Sequence, residues 1–259
     1  MLITIFEKYE LFLLIMVRMT GVVVFNPLFG RRNVPAMLKA GFALFLAVVT
    51  VMPLPVGEHI AAYDSVVGLI AAGVAEFAVG YLMGLVVNMF FAVIPLSGEM
   101  IDMQMGMSMS KMYDPGSNVQ MPLAAGFFNV ALVLMFFFTG AYRDMIYIAV
   151  SSVHLFPPGS FSVNPNVGMY LADIFGHVMM ISLKFAFPVI ASELVTETGI
   201  GIIMRAVPQI NVFVVGVQLK IIIGIFVLLA MCPFTAWFFG GMLGEMEEFM
   251  REAVVIMAN

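Results

Sequence analysis

Between residues 100 and 112 the chain reads Met-Ile-Asp-Met-Gln-Met-Gly-Met-Ser-Met-Ser-Lys-Met, so six of thirteen residues are methionine, set mostly among small or polar ones. A thioether side chain is unbranched and polarizable, and it closes around irregular shapes where a branched side chain leaves gaps. Three chemistries suit such a strip: a soft seal that yields to a passing body, adaptable packing against neighbouring helices, or ligation of Cu(I). No Cys or His lies nearby in sequence to complete a metal site. Successive residues turn about 100° on a helix, so Met103, Met105, Met107 and Met109 share one side only where the chain is extended. The run is therefore expected to form an extended loop. Gly106 weakens a helix there, and Asp114-Pro115-Gly116-Ser117-Asn118 supplies turn residues beyond it.

A second group of chemistry-bearing residues consists of ionisable side chains inside apolar sequence. Glu76, Gly80, Gly84 and Asn88 recur every four residues, which places them along one helix face. The glycines there permit close approach of another backbone, with polar ends to hydrogen-bond across the contact. Glu76 reads either as a proton or ion site or as a satisfied interhelical acid at a subunit contact. Asp173, Lys184, Glu193 and Glu197 crowd one block with Pro188, and such groups must line water or pair with neighbouring helices. Arg205-Ala-Val-Pro-Gln-Ile-Asn211 and Lys220 form a polar, proline-broken connection. His154 and His177 have no metal-ligand spacing, and neither metal nor cofactor is expected.

The elements carrying these groups are membrane helices. The 259 residues are 63% hydrophobic and only 10% charged, with a mean hydropathy of +1.08, which leaves too few charges to cover a soluble domain. An all-α integral-membrane domain over residues 1–259 is expected, with about six hydrophobic segments near 11–29, 40–52, 65–97, 115–142, 167–195 and 221–244. The third reads as one tilted helix or two meeting at Pro95. Residues 100–118 fall between blocks as the Met-rich loop, and 245–259 forms a short acidic, amphipathic C-terminal tail. No cleavable signal is evident, and Arg31, Arg32 and Lys39 are expected on the cytoplasmic side. The lone Cys232 excludes an intramolecular disulfide, and the dispersed net charge of −5 argues against nucleic acid. A membrane enzyme is disfavoured, since His-Glu-x-x-His and Gly-x-Ser-x-Gly are absent.

Three motifs in order carry a resemblance: Glu76-x3-Gly80-x3-Gly84-x3-Asn88; Gly98-Glu-x-Ile-x-x-Gln-Met-Gly-Met-Ser with Asp114-Pro115; and Arg205-x-x-Pro-Gln-x-Asn-x-Phe-x-x-Gly-x-x-x-Lys220. Together they resemble the FliR family of flagellar biosynthetic proteins and its SctT-like relatives in type III secretion. The resemblance implies a non-enzymatic subunit that assembles with FliP and FliQ into a helical hetero-oligomeric export gate of kinked hairpins, next to FlhB and FlhA, at the flagellar basal body in the inner membrane. Unfolded flagellar polypeptides would pass through its pore. The family's plug loop maps onto about Gly106 to Ser117. That carry-over assigns Met105, Met107, Met109 and Met112 to the seal, Ser108, Ser110 and Lys111 to the polar lining, and Gly106 and Gly116 to hinges. Glu76, Gly80, Gly84 and Asn88 would pack subunits, and Lys184, Glu193, Glu197, Arg205 and Lys220 would be intramembrane charges able to pair across contacts. The alternatives are a proton-coupled secondary transporter, or a Cu(I) transporter using Met105 and Met107.

Overall fold

A computed structural model describes residues 9–53, 65–107, 122–159, 166–207 and 212–258. Among them the backbone is helical, without strands, in eight elements: α1 Tyr9–Val24, α2 Ala36–Val51, α3 Val66–Phe91, α4 Val93–Gln104, α5 Leu123–Thr139, α6 Ala141–Leu155, α7 Asn166–Ala206 and α8 Val212–Ala258. The protein is thus all-α, and three stretches are long and apolar enough to cross a membrane: Val66–Gln104, Asn166–Ala206 and Val215–Met257. A fourth arises if α5 and α6, bent by 66° to each other, count as one broken span.

The residues group into two compact units. The first comprises 1–90, 140–175 and 243–259, and its interior holds Ile15, Met19, Val79, Met83, Phe90, Met246 and Met250, all buried. The second comprises 91–139 and 176–242 and is centred on Phe128, Phe185 and Phe239, whose rings lie 4.9 to 6.4 Å apart.

Several boundaries differ from the sequence expectation, each for a local reason. The third block breaks at Ala92 and not at Pro95, because proline in a first helical turn gives up only an N–H that has no intrahelical partner. After Thr139 the chain does not leave its helical course at Arg143. Gly140 takes φ 85°, turns the chain, and α6 resumes at Ala141. Pro188 and Pro233 sit inside continuous helices of 41 and 47 residues. At 1.5 Å per residue these run about 60 and 70 Å, well beyond a hydrocarbon core of about 30 Å. The acidic C-terminal stretch is helical, as the end of α8: Met246, Met250, Val254 and Met257 are buried while Glu245, Glu248 and Glu252 are exposed. That pattern keeps the expected amphipathicity.

Candidate functional site

In the first unit, α1 and α3 approach closely enough that side chains are excluded between them. A Cβ added at Gly80 would collide with the Arg18 carbonyl oxygen, and one at Gly21 would fall 2.8 Å from the Tyr81 nitrogen. At Gly84 it would meet Phe25 at 2.9 Å, and the Phe25 ring packs edge-on to Tyr81 at 4.5 Å between centroids. Backbones at this distance leave no room for water, so any polar group on the seam needs a partner in the protein.

Arg18 and Glu76 supply one. Both are completely buried, and Arg18 Nε donates to Glu76 Oε2 at 2.5 Å. The guanidinium has further donors, and they reach the Ser152 hydroxyl at 3.2 Å and the Phe156 carbonyl at 3.4 Å. Its plane lies over the Phe156 ring, with Cζ 4.3 Å from the centroid. The other carboxylate oxygen of Glu76 accepts the Gly159 N–H at 2.8 Å. One ion pair thus ties α1, α3, the end of α6 and the turn after it. The face of Glu76, Gly80, Gly84 and Asn88 was expected to meet another subunit; it meets α1 of the same chain, and Asn88 Nδ2 donates to the Phe25 carbonyl at 3.4 Å. Arg18, a lone cation in the first apolar block, is the residue that sequence reasoning passed over, and its isolation was the available signal.

In the second unit the Met-rich run begins inside α4. Met100 to Gln104 is helical, which corrects the extended reading over those residues. The helix then stops by its own chemistry. Gly106 has φ 77°, its N–H reaches the Met103 carbonyl at 3.2 Å, and the Met107 N–H reaches the Asp102 carbonyl at 2.9 Å. This is the paired bonding of a Schellman cap, which favours glycine at that position. Met105 is fully buried against Gly224 of α8, where an added Cβ would strike its side chain. Ser108, Met109, Ser110, Lys111 and Met112, with Gly116, lie outside the described residues.

Beyond that segment, α5 starts where α4 holds it. The Asp102 carboxylate accepts the Leu123 N–H at 2.6 Å and the Ala124 N–H at 3.2 Å, capping α5 from a neighbouring helix. A Cβ at Gly98 would lie 2.5 Å from that of Ala125, so the two helices touch at backbone distance. Asp102 was not singled out in the sequence, where it lies 21 residues before the first N–H it caps.

Of the remaining charged residues, Lys220 and Glu197 pair within the chain at 3.3 Å, with Glu197 well exposed. Glu193 is buried, and neither carboxylate oxygen has a hydrogen-bond partner among the described residues. Lys184 and Arg205 are exposed on α7. Among the described residues no three His, Cys, Asp or Glu side chains gather in a way that would hold a metal ion.

Long apolar helices, joined at glycine seams with the Arg18–Glu76 pair enclosed at one of them, define a multi-pass helical membrane protein. Residues 9–246 match the family described as bacterial export proteins, family 1. The chain is 34% identical over 248 residues to the flagellar biosynthetic protein FliR of Bacillus subtilis, covering 88% of each. It is 26% identical over 239 residues to FliR of Escherichia coli, covering 92% of this chain and 90% of that protein. To FliR of Aquifex aeolicus it is 28% identical over 215 residues, covering 80% and 79%. The chain belongs to the bacterial export proteins, family 1. It is accordingly a multi-pass component of flagellar protein export in the bacterial inner membrane.

Proposed function

We propose that this chain is a non-enzymatic subunit of the flagellar export gate, assembling with FliP and FliQ beside FlhB and FlhA, and that its Met-rich segment plugs the pore that unfolded polypeptides cross. The observation that carries the proposal is the clamp on that segment. Asp102 sits at the end of α4 and caps the start of α5, so residues 105–122 leave and return at nearly one point. The segment between these ends is rich in thioethers, which are unbranched and adaptable. Such a segment can mould to each passing side chain and close behind it. Closure is demanded by energetics, since each charge leaking across dissipates about 2.3 kcal/mol per 100 mV of membrane potential.

The exposed apolar surface of α8 supports assembly. In its apolar window 17% is buried within the chain, against 56% for Val66–Gln104, so lipid or other helices must cover the remainder. The proposal is tested by deleting Gly106 to Ser110 and measuring ion conductance of the membrane, with co-purification as the control. A leak with FliP and FliQ still bound is expected; unchanged permeability with the complex intact would overturn the plug. A chain that purifies alone or as a homodimer would instead favour a proton-coupled transporter.

A further inference from the structure

At the turn between α1 and α2 the first unit carries positive charge that the chain does not balance. Between Glu10 and Glu58 the sequence holds Arg18, Arg31, Arg32 and Lys39 and no acid. Glu76 neutralises Arg18. The other three gather at the turn, and among the described residues none of them has a carboxylate partner. In a chain of net charge −5 this is a local reversal of sign.

The turn that carries these cations is tightly built. Asn26 is buried, and its Oδ1 accepts the Leu28 and Phe29 N–H groups at 2.8 and 3.1 Å. The Gly30 N–H donates to the Asn26 carbonyl at 2.8 Å, and a Cβ at Gly30 would collide with the Val24 carbonyl oxygen. On this frame Arg31 Nε donates to the Pro27 carbonyl at 3.1 Å, and Lys39 Nζ to the Gly30 carbonyl at 2.8 Å. Each uses one donor on the turn and keeps the others for a ligand, and Arg32 is exposed beside them.

Apolar surface begins where the charge ends. Helix α2 buries Ala43, Leu46 and Ala47 and turns Met37, Leu38, Phe45, Val49 and Met52 outward, Met37 being 85% exposed. From Met37 to Met52 that outer face runs about 22 Å. Cations at one end of a face that is otherwise apolar follow the order of layers in a bilayer, headgroup and then acyl chain.

We infer that the α1–α2 turn holds the phosphate of an anionic phospholipid, whose acyl chains lie along the outer face of α2. Charge selects the phosphate, because guanidinium and ammonium donors match its oxygens. The apolar face selects a lipid over a soluble phosphate, since only the lipid takes that face out of water. An acidic segment of another protein would account for the cations and not for the apolar surface that continues from them. The site is separate from the methionine segment and does not depend on the plug.

The test titrates the purified full chain, with whichever subunits it carries, in mild detergent with dioleoyl phosphatidylglycerol or dioleoyl phosphatidylcholine. Bound lipid is counted by native mass spectrometry. Phosphatidylglycerol is expected to bind at least about tenfold tighter than phosphatidylcholine, and Arg31→Gln, Arg32→Gln and Lys39→Gln together should remove most of that preference. Arg32→Gln alone should weaken phosphatidylglycerol about threefold, which keeps the test open where the triple variant fails to fold. Met37→Ser with Leu38→Ser should also weaken it about threefold, and no loss there would deny the acyl contact. Arg251→Gln, at an exposed cation of α8, should change binding by less than about 1.5-fold. Equal losses at Arg32 and Arg251 would reduce the effect to net charge and overturn the site. Displacement of the lipid by millimolar inorganic phosphate would overturn it by making the ligand a free anion. Unchanged lipid binding in a triple variant that loses a co-purifying subunit would overturn it in favour of an acidic protein.

Discussion

The seam between α1 and α3 and the seam between α4 and α5 are both built on glycine, yet they secure their helices by opposite means. At the first, Gly21 and Gly80 bring backbones together around a buried guanidinium whose donors reach a carboxylate, a hydroxyl and a carbonyl. At the second, Gly98 meets Ala125, and a carboxylate caps two backbone N–H groups before the chain passes into methionines. The difference lies in what each can tolerate. Directional, fully enclosed polar bonds admit one arrangement, whereas thioether packing admits many of similar energy. Within one chain, a joint of fixed geometry and a methionine-rich stretch are thus distinguished by chemistry.

Substitutions can break that contrast. The largest effect is expected from Arg18→Met, which strands Glu76 in an interior without water and should cost about 3 to 5 kcal/mol. Thermal unfolding of the purified protein in detergent would measure it. Adding Glu76→Leu should recover most of the loss, and failure to recover would mean that the Ser152 and Phe156 contacts matter more than the ion pair. Gly80→Ala should cost about 1 to 3 kcal/mol by forcing α1 off α3. Gly73→Ala on the same helix, where an added Cβ meets nothing within 4 Å, should be neutral or stabilising. Equal effects at the two glycines would deny the seam. The smallest effect is expected at the yielding end: Met107→Leu should change stability by less than about 1.5 kcal/mol. A change as large as that of Arg18→Met would show that the methionines there are as strictly specified as the pin.

Much of this contrast was legible in the sequence. The four-residue spacing of Glu76, Gly80, Gly84 and Asn88 announced a close helix contact, because glycine repeats on an apolar helix have few other uses. The partner of that face was not legible, since a one-dimensional pattern does not say whether the opposing helix belongs to the same chain. Arg18 illustrates the gap: it lies 58 residues before Glu76, and only folding brings them together. Hydropathy located six segments, left open whether the third was one helix or two meeting at Pro95, and missed α6, whose Arg143, Asp144 and Ser152 dilute the apolar signal. Methionine alternation suggested extended chain from residue 100, yet the run starts in a helix that ends in a glycine cap. Inside that helix fall only Met100 and Met103, which are three residues apart and so share a face, and the alternation proper begins where the helix ends.

The choice of arginine at position 18 has a further consequence. A guanidinium presents its donors in a flat fork of fixed geometry, whereas an ammonium is a point charge on a flexible stem. Here the fork reaches Glu76 on α3, and Ser152 and Phe156 at the end of α6. The joint therefore sets angles as well as distances: a lysine would supply the same charge without holding three pieces of chain in one orientation.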